Sequence, residues 1–133
     1  MTRPSERLAR GHRLTSGTDY ADLKARGRAV RGEHLLLVTL ARPGEPTRFG
    51  CVASRKGVGG AVQRNRARRR LREIVRRRWS RVPANGHLIM FVAFRSTLTA
   101  AHQDLASDVE RLLAGAGLLA PIPDAGDAQA ERG

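Results

Sequence analysis

Residues 61–81 constrain this chain more than any other stretch: Ala-Val-Gln-Arg-Asn-Arg-Ala-Arg-Arg-Arg-Leu-Arg-Glu-Ile-Val-Arg-Arg-Arg-Trp-Ser-Arg. The run holds ten arginines and one acid, Glu73, and Gly59 and Gly60 stand immediately before it. It contains neither proline nor glycine. Apolar residues recur at Ala67, Leu71, Ile74, Val75 and Trp79, the spacing of one helical face. The pattern predicts a helix of about five turns, roughly 28 Å long at 1.5 Å per residue. Its apolar stripe is narrow, and most of the remaining surface is guanidinium. A charge run commonly marks a solvated helix face, but such faces mix signs at i, i+4 and so support themselves. Like charges at this density repel, so this helix needs tertiary support or a polyanion.

The formal net charge of the 133-residue chain is +13, and nine of those units fall within residues 64–81. Concentrated basicity favours polyanionic partners, nucleic acid first and an anionic membrane surface second. The membrane reading needs a broad apolar face opposite the arginines, which the narrow stripe does not supply. Arginine outnumbers lysine 23 to 2. Arginine offers phosphate a planar fork and stacks on bases, although a GC-rich genome would produce the same bias. Cys51 is the only cysteine, which leaves no disulfide framework and no cysteine-based metal site. Its place within a strand pattern suits a small buried hydrophobe. No apolar run approaches the roughly 18 residues of a membrane span, and the N-terminus lacks the apolar segment of a signal peptide. The chain reads as soluble and cytoplasmic.

Three regions follow from the pattern. Residues 1–15 form a basic flexible arm, 16–117 a single folded domain, and 118–133 a disordered tail rich in Ala, Gly, Asp and Pro. Within the domain, Thr18 can cap a short helix that carries Tyr20, Leu23 and Lys24 and stops at Gly27. Residues 35–40 form a strand ended by Pro43, Gly44 and Pro46. Residues 47–55 then return as its antiparallel hairpin partner. The continuous apolar run 88–94 is a central strand covered on both faces. The basic helix between these strands completes a βαβ unit. Residues 100–114 form a last helix, with Leu105, Val109, Leu112 and Leu113 on one face and Asp104, Asp108, Glu110 and Arg111 off it. The class is α+β: three helices and a small sheet of about four strands, in the order α-β-β-(β)-α-β-α. The general rule gives the crossover a right hand.

No self-sufficient active site is legible. His12, His34, His87 and His102 fall in no metal-ligand spacing, and no Ser or Cys sits in a nucleophile turn. The acids lack the pairing by which two-metal nucleases hold magnesium. Gly57, Gly59 and Gly60 lack the ending of a Walker motif, although they place backbone N–H groups at a helix N-terminus, where a phosphate or a plain tight turn fits equally. Binding, then, is the expected activity. Arg64, Arg68 and Arg72 lie one helical turn apart, as do Arg66 and Arg70 with Arg69 beside them, and together they can track a phosphate backbone. Asn65 can donate to and accept from a base edge or a 2′-hydroxyl.

Ser54-Arg55-Lys56, then Val58-Gly59-Gly60-Ala61-Val62-Gln63-Arg64-Asn65-Arg66-Ala67-Arg68-Arg69-Arg70-Leu71-Arg72-Glu73, resembles the signature of the bacterial ribonuclease P protein subunit. The flanks agree: Thr18-Asp19-Tyr20 resembles that family's acidic-aromatic pair, and Arg48-Phe49-Gly50 opens a strand as it does there. The resemblance implies a left-handed crossover in place of the right-handed one. It also implies a protein that performs no chemistry itself. The catalytic RNA carries out magnesium-dependent removal of the precursor-tRNA 5′ leader, holding the Mg2+ mainly itself, while the protein raises substrate affinity, broadens substrate range and helps place the ions. By position, Arg64, Asn65, Arg66, Arg68, Arg69 and Arg72 become candidates for contact with the RNA subunit. Tyr20, Val38, Phe49, Val52, Ser54, Lys56 and Arg95 become candidates for a cleft holding the leader. Lys24 and Val38 depart from the family pattern where aromatics often stand, which implies a cleft that works more by charge than by stacking. One extra residue in Lys56-Gly57-Val58-Gly59 also departs from it. The alternative is a stand-alone RNA-binding module with no part in cleavage.

Overall fold

The computed structural model describes residues 10–121. Its elements run α1 (Gly17–Arg26), β1 (Arg28–Arg31), β2 (Leu35–Pro46), β3 (Arg48–Val52), α2 (Ala61–Arg78), β4 (Asn85–Ala93) and α3 (His102–Gly115), with short 3-10 turns at Arg10–His12, Trp79–Arg81 and Arg95–Leu98. The four strands form one sheet in the order β1-β2-β4-β3. β1 pairs antiparallel with β2, β2 antiparallel with β4, and β3 parallel with β4. This is the expected α+β arrangement, with β3-α2-β4 as its βαβ unit.

The apolar run behaves as its composition requires. β4 lies between β2 and β3, where both of its faces are covered, and Leu88, Ile89, Met90 and Phe91 are buried. That position overturns the predicted hairpin. β2 and β3 are consecutive in sequence, but β4 separates them. Two neighbours on an uninterrupted apolar strand bury more surface than a hairpin that leaves this strand at an edge. The chain also continues as strand through Pro43, Gly44 and Pro46, with a register shift between Arg42 and Pro46 where Pro46 meets Asn85. The prolines lie at this irregular end, beyond the regular ladder.

Alternation along the strands sorts the core into two layers. Leu35, Leu37, Phe49, Ile89 and Phe91 face α2 and α3, which contribute Ala67, Leu71, Ile74 and Val75 and Leu105, Val109, Leu112 and Leu113. Val38, Leu88 and Met90 face the other way, toward Leu14 and Leu23. α1 is capped by Ser16 in place of Thr18, the Ser16 hydroxyl accepting from the Asp19 N–H at 3.3 Å. At Gly27 a Cβ would come within 2.6 Å of Val38 Cγ1, so only glycine lets the chain leave α1 this close to the sheet.

Two predicted boundaries move. Leu14 is 5% exposed and Leu118 2% exposed, so the folded unit reaches into the expected arm and tail. The Leu14 N–H donates to the Phe49 carbonyl, while Arg81 and Ala120 exchange backbone and guanidinium hydrogen bonds. The rest of those two segments, residues 1–9 and 122–133, lies outside the described residues. Asp108, expected off the packed face, is 1% exposed. Its carboxylate accepts from the Glu33 and His34 N–H groups at 3.1 and 2.7 Å and pairs with Arg111.

Candidate nucleic-acid interface

α2 is an 18-residue helix whose core-facing side chains are Ala67, Leu71, Ile74 and Val75. Trp79 follows at its end, half-buried, against Phe49 and edge-on to His12. These anchors fix which arginines can face outward. At about 100° per residue, Arg64, Arg68 and Arg72 run along the flank beside β3, Asn65 and Arg69 lie along the crest, and Arg66 lies beyond it. The six predicted residues therefore wrap roughly 200° of helix and cannot all meet one flat surface. Asn65, Arg66, Arg69 and Arg72 are exposed, and Arg64 and Arg68 are half-buried. Arg68 donates to Asn65 Oδ1 at 2.5 Å, which fixes the oxygen and directs the Asn65 amide N–H groups elsewhere. Arg64 Nε is enclosed and meets no acceptor among the described residues.

The remaining arginines of the run serve the fold. Arg70 donates to the Thr97 and Ala100 carbonyls at 2.6 and 2.8 Å, holding the turn after β4. Arg78 reaches Glu110 on α3 at 2.7 Å and the Ile74 carbonyl at 3.0 Å. Arg76 and Arg77 gather around Glu73. Helix periodicity gives no sign of the Thr97, Ala100 and Glu110 acceptors, because they lie on elements far away in sequence.

On the opposite face of the sheet, α1 covers Val38, Leu88 and Met90 and leaves Leu36, Val52 and Val92 partly exposed. Tyr20 stands at the border of this strip, its hydroxyl donating to the Leu14 carbonyl at 3.1 Å. A Cβ at Gly50 would lie 2.2 Å from that hydroxyl, so glycine is what admits the ring. Of the predicted cleft residues, the structure brings Tyr20 and Val52 to this face. Val38 is buried beneath α1, and Phe49 is turned into the other layer, edge-on to Phe91 at 4.9 Å. Neither stands open on this face; strand alternation sends Phe49 away from its neighbours Gly50 and Arg48. Leu36 and Val92 are apolar side chains that stand partly open on this face, and the even-numbered alternation of β2 and β4 was the signal available for placing them there. Ser54 and Lys56 are exposed on the loop after β3, where Ser54 Oγ accepts from the Gly57 N–H at 2.8 Å. Arg95 joins that loop through the Val58 carbonyl at 3.1 Å.

Where α2, the edge of β3 and the start of α1 meet lies a cavity of about 330 Å³, its wall including Arg72, Cys51, Gly50, Phe49, Tyr20 and Arg13. It connects the arginine flank to the Tyr20 face, which sequence spacing presents as separate. Burial pushes the Tyr20 phenol up, and Cys51 adds to this, while Arg72 and Arg68 pull it down. Desolvation pushes the Cys51 thiol up to about 12 despite the same two arginines, so it stays protonated at neutral pH and is a poor nucleophile. The acids of α1 are engaged elsewhere: Asp19 pairs with Arg42 and Arg48, both at 3.1 Å, and Asp22 with Arg42 at 2.9 Å. Among the described residues no three His, Cys, Asp or Glu side chains converge as a metal-binding group, and no helix is long and apolar enough to cross a membrane.

The sequence pattern of the Ribonuclease P family matches residues 8–117. The chain belongs to the ribonuclease P protein family. A curated relative, the ribonuclease P protein component of Symbiobacterium thermophilum, is 40% identical over 84% of this chain and 96% of its own length. That of Streptomyces avermitilis is 41% identical over 78% and 94% respectively. The fold agrees as well. The Staphylococcus aureus RNase P protein superposes with a TM-score of 0.71 at 22% identity, covering 81% of this chain and 97% of that one. The Thermotoga maritima protein does so with a TM-score of 0.66 at 24% identity, covering 76% and 94%. The family match spans the arginine helix, the sheet and the Tyr20 face together, so the two surfaces belong to one family domain.

Proposed function

We infer that this chain is the protein subunit of a ribonucleoprotein endonuclease, ribonuclease P. It binds a catalytic RNA through α2 and the single-stranded 5′ leader of precursor tRNA across the face beside α1. The observation that carries this reading is the flank of α2, where Arg64, Arg68 and Arg72 stand on a helix anchored by its apolar side, with no carboxylate paired to any of them among the described residues. An enclosed guanidinium N–H without an acceptor costs about 1–3 kcal/mol, and an RNA phosphate beside Arg64 Nε would recover it. The reaction belongs to the RNA and to Mg2+ held by that RNA. The acids beside the Tyr20 face are committed to arginines, which suits a protein that positions substrate and leaves the metal ions to its partner.

The test is reconstitution. Adding this protein to a cognate catalytic RNA at low magnesium should raise precursor-tRNA cleavage, and no gain would defeat the reading. Within that system Tyr20→Ala should spare binding of the RNA subunit and weaken precursor tRNA by about 1–3 kcal/mol, the worth of one base stacked on an aromatic ring. Competition binding with precursor and mature tRNA measures this. Equal loss for the two substrates would favour a general RNA-binding module.

A further inference from the structure

The cavity between β3 and α2 is set apart by the state of its two cations. Arg42 and Arg48, the arginines of β2 and β3, are tied to Asp19, Asp22 and Glu45. Arg13 and Arg72, on the walls of the cavity, have no ionic or hydrogen-bond partner among the described residues, and both are exposed. Neither hangs on a loose segment. Arg13 makes a parallel bridge to Phe49, and the next residue, Leu14, is buried in the core. Arg72 follows Leu71, which is fully buried. Two guanidinium groups thus rise from fixed backbone of two different segments to line one space, whose wall also includes Gly50 and the Tyr20 ring packed over it. Two unneutralised guanidinium groups lining one cavity suit an anion held by several N–H donors, as a phosphodiester is.

Resting on the leader-binding reading above, we propose that this cavity is a subsite for one phosphodiester of the unpaired leader, gripped between Arg13 and Arg72. Arg72 thereby belongs to the substrate as well as to the arginine flank, and it links the two RNA surfaces at one side chain. Arg13, in a segment that sequence alone reads as a loose arm, is the second arm of the grip.

The experiment uses holoenzyme reconstituted with saturating catalytic RNA, and precursor tRNAs carrying a single uncharged methylphosphonate at each leader linkage in turn. With the wild-type protein one linkage should stand out, its neutralisation weakening binding about tenfold, the scale of one charge-assisted contact. In Arg72→Ala and Arg13→Ala holoenzymes the same substitution should cost less than about twofold, because the contact is already gone, and Arg72→Lys should keep part of the effect. Each ratio is taken within one protein, so a general loss of RNA affinity or stability cancels. Leader dependence with no distinguished linkage, or a linkage effect that persists in Arg72→Ala, overturns the subsite alone. Wild-type holoenzyme that binds precursor no better than mature tRNA overturns both the subsite and the leader reading.

Discussion

Replacing Arg64 and Arg68 together by alanine is expected to weaken binding of the catalytic RNA by roughly a hundredfold at moderate salt, the scale of two charge-assisted contacts. The slope of log affinity against log salt should fall by about 1.4–1.8, because each lost phosphate contact removes about 0.7–0.9. The fold should survive. The apolar anchors of α2 are Ala67, Leu71, Ile74 and Val75, and among the described residues the Arg68 side chain loses just the solvent-exposed hydrogen bond to Asn65. Titration of labelled catalytic RNA at several salt concentrations, with circular dichroism as a control for folding, checks both halves. An unchanged slope would mean that these arginines face solvent in the complex.

Asp108→Ala is expected to destabilise the protein by about 2–4 kcal/mol, because a buried carboxylate that accepts two backbone N–H groups cannot be removed without leaving those donors unpaired. Those donors are Glu33 and His34, in the turn between β1 and β2. The turn lies directly on α3: a Cβ at Gly32 would sit 2.9 Å from either Asp108 oxygen and 2.7 Å from Leu112 Cδ1, so no solvent layer separates them. Arg111, largely exposed, contributes little by comparison. In thermal unfolding the midpoint should drop by roughly 10 °C or more. Asp108→Asn should lose less, since its amide oxygen still serves one N–H. A change within half a kcal/mol for Asp108→Ala would show that the turn finds other acceptors at no cost.

The two expectations concern different links between sequence and function, and they were legible to different degrees. The arginine flank is a local property. Periodicity of 3.6 places Arg64, Arg68 and Arg72 in one row and Leu71, Ile74 and Val75 in another, whatever the rest of the chain does. Asp108 is not legible in this way. Its charge groups it with Asp104 and Glu110 as an outer residue of α3, although it stands three residues after Leu105 and four before Leu112; only the turn at residues 32–34, more than seventy positions away in sequence, makes it an interior cap. Arg70 and Arg78 are similar cases. Their charge reads as more of the same run until Thr97, Ala100 and Glu110 arrive beside them.

The candidate cleft shows the same division. Tyr20 and Val52, candidates by position in the sequence, both stand on the face beside α1. Phe49 and Val38 became candidates by position in the resemblance, but which face each presents depends on register against β4. With β4 inserted between β2 and β3, Phe49 turns toward α2, and Val38 disappears beneath α1. The bridge of Arg13 to the β3 edge depends equally on β3 being the outermost strand.

By itself the sequence determined the helices, the central apolar strand, the concentration of charge on one helix and the family to which that helix belongs, because these follow from periodicity, composition and contiguous motif. Tertiary structure decided the strand order, the face of each strand side chain, which arginines are neutralised within the protein, and the junction of Arg72 with Tyr20 and Arg13. Each of these depends on pairings between residues distant in the chain, where burying β4 on both sides outweighs the local preference for a hairpin.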